Sequence, residues 1–232
     1  WPPNDEKKAR SLEGKTFGVV RPPSPDRMDE ETGAAFDAAC GVLKSLGAKL
    51  EPLELPDFPY APVAVTLYTA EAASIFRPFI ESGKVNELVD AQQRTGLVAA
   101  LSLPATDYLD AFRIRVQIQA EVAKLFEKYA AIVAPSRTGP APPLDRNFDA
   151  PSPDRKERPA PAPGSGEKWN VIGMSNIAGL PAISVPCGFT KEKNLPLGIQ
   201  FVADAFREDE CIECGHAYQL ATDWHKKRPG NL

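Results

Sequence analysis

The chain has 232 residues, 43% of them hydrophobic and 25% charged, with a net charge of −4. That balance is ordinary for a soluble globular protein, and at this length roughly 70–75% of the unfolded surface can be buried, enough for one sizeable core or two small ones. Basic residues form no face before His225-Lys-Lys-Arg228, which argues against a nucleic-acid or anionic-membrane surface.

No apolar run approaches about 18 residues and no signal-peptide pattern is present, so the expected compartment is the cytoplasm, with no membrane partner. The first residue is Trp1 and the first methionine is Met28, which leads us to expect a fragment or processed product with further sequence upstream. Cys40, Cys187, Cys211 and Cys214 are too sparse for a secreted disulfide scaffold and read as small core residues.

In chain order, residues 1–14 are polar and proline-bearing and read as a connector. Lys15-Thr-Phe-Gly-Val-Val20 is a short apolar strand, closed by Pro22-Pro-Ser-Pro25. Asp29 offers an N-cap, with Glu30 and Glu31 placed against the positive end of the helix dipole. Phe36, Ala39, Cys40, Leu43 and Leu46 then share one face, and Gly47 stops the helix. Residues 48–55 return as a strand in which Pro52 favours an edge. Strand, helix and strand over so short a stretch predict a parallel β-α-β unit.

From Pro59 to Phe126 the pattern is helical. One helix covers 63–76 and is broken by Pro78, and a weaker one spans 84–100. A long helix capped by Thr106 places Leu109, Phe112, Val116, Val122, Leu125 and Phe126 on one side. Residues 130–134 read as a buried strand, completing a unit over 15–134. Residues 135–166, dense in Pro, Ala, Asp and Arg, read as a mobile surface excursion that buries too little apolar surface to fold alone. The last segment, 167–232, holds a short helix near Trp169, strands at 182–185 and 197–203, and a helix over 208–224 ending in basic residues.

One spelling is more specific than any of these patterns. Asn176-Ile-Ala-Gly-Leu-Pro-Ala-Ile-Ser-Val-Pro-Cys-Gly-Phe189, followed by Leu195-Pro-Leu-Gly-Ile-Gln-Phe201, closely resembles the distal end of amidase signature enzymes. The likeness continues in order through an opening Leu12-Glu-Gly-Lys15, Tyr68-Thr-Ala-Glu-Ala72, Thr106-Asp-Tyr-Leu-Asp-Ala-Phe-Arg113 and the terminal Asp223-Trp-His225. It implies an α/β fold, a mixed β-sheet flanked by helices, and the hydrolysis or transfer of carboxamide groups. It also implies a nucleophilic serine, a bridging serine preceded by a cis peptide, and a lysine base, with backbone N–H groups stabilising the oxyanion. Neither a Gly-Gly-Ser-Ser tract nor the lysine-bearing strand occurs in this sequence. The expectation is therefore the C-terminal half of an amidase, or of a protein like the A-subunit of an amidotransferase, inactive by itself. The alternative is a non-catalytic binding or scaffold module that retains the fold.

The resemblance implies that Trp169, Asn170, Met174 and Asn176 form a wall of the substrate pocket. Arg94 and Arg113 are candidates for a substrate carboxylate, against structural ion pairs. Amidotransferase members of this family carry an aspartate just before the Asn176 block, where this chain has Trp169 and Asn170, which favours a general amidase. Ser175 does not fit a nucleophile elbow, because the second glycine comes late and the strand follows the serine. Ser184, inside an apolar strand, is expected to bond nearby backbone. Cys211 and Cys214 fall three apart on a helix and read as packing thiols in preference to a zinc or redox site. No cofactor or metal is implied. The expected partners are a small amide substrate in the complete enzyme and, for this chain alone, a second copy. That self-association would use surfaces near Phe17–Val20, Ile183–Val185 or Ile199–Val202.

Overall fold

A computed structural model describes residues 11–24, 27–144 and 168–228. Its centre is a five-stranded sheet in the order β2-β1-β3-β5-β4. The strands are β1 (Thr16–Val19), β2 (Lys49–Pro52), β3 (Ala131–Pro135), β4 (Ala182–Phe189) and β5 (Pro196–Val202). β1 runs parallel to both β2 and β3, while β5 runs antiparallel to β3 and to β4. The sheet is thus mixed, as the sequence predicts, and β2 takes the edge position that Pro52 tolerates.

Two apolar layers cover it. On one face lie α1 (Glu30–Ser45) and α6 (Glu208–Ala221), whose Phe36, Leu43, Cys214 and Tyr218 pack on Phe17, Ile199 and Phe201. On the other lie α2 (Tyr60–Glu81), α4 (Ala105–Ala123) and α5 (Val171–Ala178), which bring Tyr60, Ile118 and Met174 onto Val20, Ile132 and Val202. A further helix, α3 (Ala91–Ala100), packs against α2 away from the sheet. The β1-α1-β2 unit is as the sequence predicts: the Asp29 carboxylate accepts from the Thr32 backbone N–H at 2.9 Å. Gly47 turns the chain at φ +94°, where an added Cβ would meet the Glu13 backbone at 3.1 Å. Leu12 is fully buried and its N–H bonds the Leu46 carbonyl, so residues 11–14 are tied to the core. Residues 1–10, and residues 145–166 of the Pro-rich segment, lie outside the described set.

Several helical expectations change. α2 runs through Pro78 to Glu81, because one missing donor costs less than abandoning a helix whose last turn still buries Ile80. The 84–100 segment divides into a short 3-10 turn, Lys84–Glu87, and α3, which Asp90 caps through the Gln93 N–H. α4 begins at Ala105 with Pro104 before it, and Thr106 does not cap it. Its buried stripe is Ala111, Ile118 and Val122 with Ile114 beside them, while Leu109, Phe112 and Val116 point outward. Both stripes have helical spacing, so periodicity alone could not choose. The narrow Ala111 side admits α2 and α5 closely, and the bulky stripe is left uncovered.

The strands also differ from expectation in what they expose. β1 and β5 are interior strands with both edges paired, and Phe17, Val20, Ile199, Phe201 and Val202 are buried. Of the three strand surfaces expected to remain open, β4 alone is at an edge. Its Val185 and Cys187 face the core, whereas Ala182 and Ser184 are exposed. β4 also extends to Phe189, past a register shift between Pro186 and Gly188.

Candidate functional site

β1 leads to α1 on one face of the sheet, while β2 returns to β3 by helices on the other. The carboxyl ends of β1 and β3 therefore lie side by side where the winding reverses. In open α/β sheets such a switch point leaves a crevice that ligands occupy. A recess of about 260 Å³ opens here. Val20 and Pro22, after β1, form one side, and Ser136, Arg137 and Thr138, after β3, form another. Trp169, Asn170 and Ile172, at the start of α5, complete the wall.

The local structure follows from the sequence. Pro135 ends β3 while still accepting a 3.0 Å hydrogen bond from Gln200 Nε2, which lines the recess from β5. The Ser136 N–H bonds the Gly198 carbonyl at 2.8 Å, holding the post-strand loop to β5. Gly198 is required by crowding, since a Cβ there would lie 2.7 Å from Ser136 Oγ. That hydroxyl is 2.6 Å from Ser184 Oγ, so Ser184 bonds a side chain on the open face and not the nearby backbone expected of it. Asn170 caps α5, its Oδ1 accepting from the Gly173 N–H at 2.8 Å. At the other end of α5, Arg115 Nε and Gln119 Nε2 donate to the Ile177 and Ala178 carbonyls. Both ends of the helix are therefore fixed.

Among the described residues the charges at the recess are positive. Arg137 is exposed at its mouth, and no carboxylate or carbonyl pairs with it among the described residues. The Arg27 guanidinium lies 5.8 Å from the Trp169 ring centroid. Asp29, two residues after Arg27, has its carboxylate bonded by the Thr32 N–H and hydroxyl.

Of the residues proposed from sequence, Trp169 and Asn170 come together at this recess. Met174, on the inner face of α5, is fully buried against the sheet, and Asn176 is exposed on the same helix. Arg94 lies on α3, where its Nη1 donates to the Leu88 carbonyl, and Arg113 pairs with Asp110 on the surface of α4. Ser136, Arg137 and Gln200 escaped sequence reasoning. The available signals were Pro135-Ser-Arg137 directly after a buried strand and a lone polar Gln200 inside an apolar one.

The cysteines are core groups. Cys211 Sγ donates to the Pro181 carbonyl at 3.4 Å and Cys214 Sγ to Glu210 Oε1 at 3.6 Å. Burial pushes the Cys211 thiol up to about 11 and Cys187 to about 12, and raises Cys214 as well. Ser175 is buried, with its hydroxyl donating to the Ile172 carbonyl at 3.3 Å. Among the described residues no cluster suits a metal ion, and no helix is long and apolar enough to cross a membrane.

A mixed sheet flanked by helices on both faces, with a recess at its switch point, defines an α/β protein. More particularly, the chain belongs to the amidase family, whose model matches residues 2–212. It is 32% identical to the A-subunit of the glutamyl-tRNA(Gln) amidotransferase of Lysinibacillus sphaericus, covering 95% of this chain and 48% of that protein. It is 28% identical to an amidase of Pseudomonas putida, over 95% of this chain and 46% of that protein. Among solved structures, a 6-aminohexanoate cyclic dimer hydrolase complexed with substrate superposes with a TM-score of 0.72 at 19% identity. That match covers 97% of this chain and 48% of the hydrolase. A crystal structure of an amidase gives 0.71 at 23% identity, over 90% and 46% of the two chains. The chain thus spans about half the length of the curated relatives it matches.

Proposed function

We propose that this chain is the C-terminal half of an amidase signature enzyme, supplying sheet and one wall of the pocket in which a carboxamide C–N bond is cleaved or its amide transferred. The observation that carries the reading is the coverage: nearly the whole chain matches its relatives, and it fills only about half of each. Nucleophilic attack on an amide needs a hydroxyl activated by a base. Here Ser175 is spent on a helix carbonyl, and Ser184 and Ser136 bond each other, with no lysine or histidine in hydrogen-bond reach of any of the three among the described residues. The attacking serine, the bridging serine and the lysine belong in this reading to the other half. What these residues contribute is orientation: Trp169, Asn170, Ser136 and Gln200 form a preorganised wall beside the reacting group.

The purified chain is expected to release no ammonia from simple amides or from glutamine. Turnover that persists in a Ser175→Ala/Ser184→Ala variant free of contaminants would relocate the active site and overturn the proposal. The coding sequence upstream of Trp1 separates the enzyme from its rival. A serine- and glycine-rich tract with a lysine-bearing strand supports a catalytic whole, and an upstream half without them supports a scaffold module.

A further inference from the structure

We infer that the recess at the carboxyl ends of β1 and β3 is a carboxylate-binding subsite anchored by Arg137, so that the amides this protein takes carry a carboxylate on the arm away from the reacting bond. Calling the ligand an amide rests on the reading above; the carboxylate requirement does not.

The recess leaves one charge unmatched. Its polar groups are largely engaged with one another: Gln200 with the Pro135 carbonyl, Ser136 with Ser184, Asn170 with the start of α5. Among the described residues the Arg137 guanidinium is the one charged group lining the space, and it has no counter-charge there. A second cation, Arg27, stands over the Trp169 ring that forms the facing wall. The Asp29 carboxylate is held by Thr32 at 2.9 and 3.1 Å. A guanidinium presents a rigid planar fork that matches a carboxylate with two parallel hydrogen bonds. Beside it, Val20, Ile172 and the Trp169 indole offer an apolar surface for a short carbon chain. At about 260 Å³ the space suits a small acid and not a polymer.

The probe is succinamate, compared with succinamide, which is its neutral counterpart of nearly the same shape. Binding is followed on the chain itself by the NMR signal of the Trp169 indole N–H. Succinamate is expected to bind about 10-fold tighter than succinamide, the scale of one charge-assisted pair near the surface. Added salt should weaken succinamate alone. Arg137→Met should abolish the preference, and Arg137→Lys should keep part of it, since the charge remains and the fork is lost. Arg137 is exposed and supports no other group among the described residues, so circular dichroism of both variants should match the parent. Equal binding of the two probes, a preference that survives Arg137→Met, or no binding of succinamate would each overturn the subsite. An upstream half without catalytic residues would instead sink the amidase reading, and a carboxylate preference lost with Arg137 would still stand.

Discussion

The outward stripe of α4 makes the sharpest test of whether another segment is needed to cover this chain. Leu109, Phe112 and Val116 are 51%, 37% and 63% exposed, at three- and four-residue spacing on one helix face. Fully burying such a side chain is worth about 1.5–3 kcal/mol; with roughly half of each already covered, the remainder is about 1 kcal/mol apiece. Covering all three would then contribute about 3 kcal/mol, or on the order of 100-fold in an association constant. In the complete enzyme the other half is the proposed cover. For this chain alone a second copy is the available one, so we expect concentration-dependent self-association through α4 and not through the interior strands. Because both sites face water, Leu109→Lys/Val116→Glu should leave the fold intact while removing about 2 kcal/mol of that cover and weakening association by roughly 30-fold. Sedimentation velocity over a wide concentration range reads the effect directly. A parent chain that stays monomeric throughout, or a variant that associates as strongly as the parent, would refute the reasoning.

Other consequences concern the fold that carries the site. Lys15 Nζ donates to Glu210 Oε1 at 2.5 Å and to Glu213 Oε2 at 3.2 Å, tying the start of β1 to α6, and the Lys15 and Glu210 side chains are only 19% and 9% exposed. Lys15→Met should cost about 1 kcal/mol by leaving the largely buried Glu210 carboxylate with the Arg207 guanidinium, at 3.3 Å, as its remaining charged partner, and Lys15→Met/Glu210→Leu should recover part of it. Urea denaturation in which the single variant loses under about 0.5 kcal/mol would show that water already screens the pair. Stability should also fall at alkaline pH. Thiols that ordinarily titrate at 9.0 are held protonated in the fold up to about 11 at Cys211 and about 12 at Cys187, so above pH 9 the unfolded chain releases protons that the folded chain keeps. Lys15, raised above its ordinary 10.5 despite burial by its bond to Glu210, adds stability that is complete below that value and lost as pH rises through the folded one. A thermal midpoint that stays level from pH 8 to 10.5 would contradict the thiol shifts, while the Lys15 contribution is read only above 10.5.

The sequence carried the β1-α1-β2 unit because each of its signals was local: Asp29 before a helical face, Gly47 after it, Pro52 at an edge. α4 was different, since Leu109, Phe112 and Val116 have as good a helical period as Ala111, Ile114 and Ile118. Which stripe is buried depends on what packs there, and α2 and α5 meet α4 from parts of the chain remote in sequence. The same limit applies to the site. Trp169 and Asn170 were legible because they immediately precede a diagnostic block. Gln200, Ser136 and Ser184 reach one another through the pairing of β3, β5 and β4, a relation of register that no spacing along the chain records.

That register also explains how this chain alone can build the proposed wall. Gln200 pairs with Ser184, and Ser136 follows β3 with its N–H on the Gly198 carbonyl, so β5, β4 and the loop after β3 bring these polar groups to one open end of the sheet. Their positions are set by backbone ladders and by the fully buried Ile132, Ile199 and Phe201 behind them. A catalytic segment docking on this end would therefore meet side chains already oriented, and little further ordering would be lost on assembly. Arg137 is the exception, being exposed on a post-strand loop with no partner to hold it among the described residues. Its conformational freedom is a cost that a bound carboxylate would have to offset, so the wall can be rigid while its specificity depends on the ligand completing it.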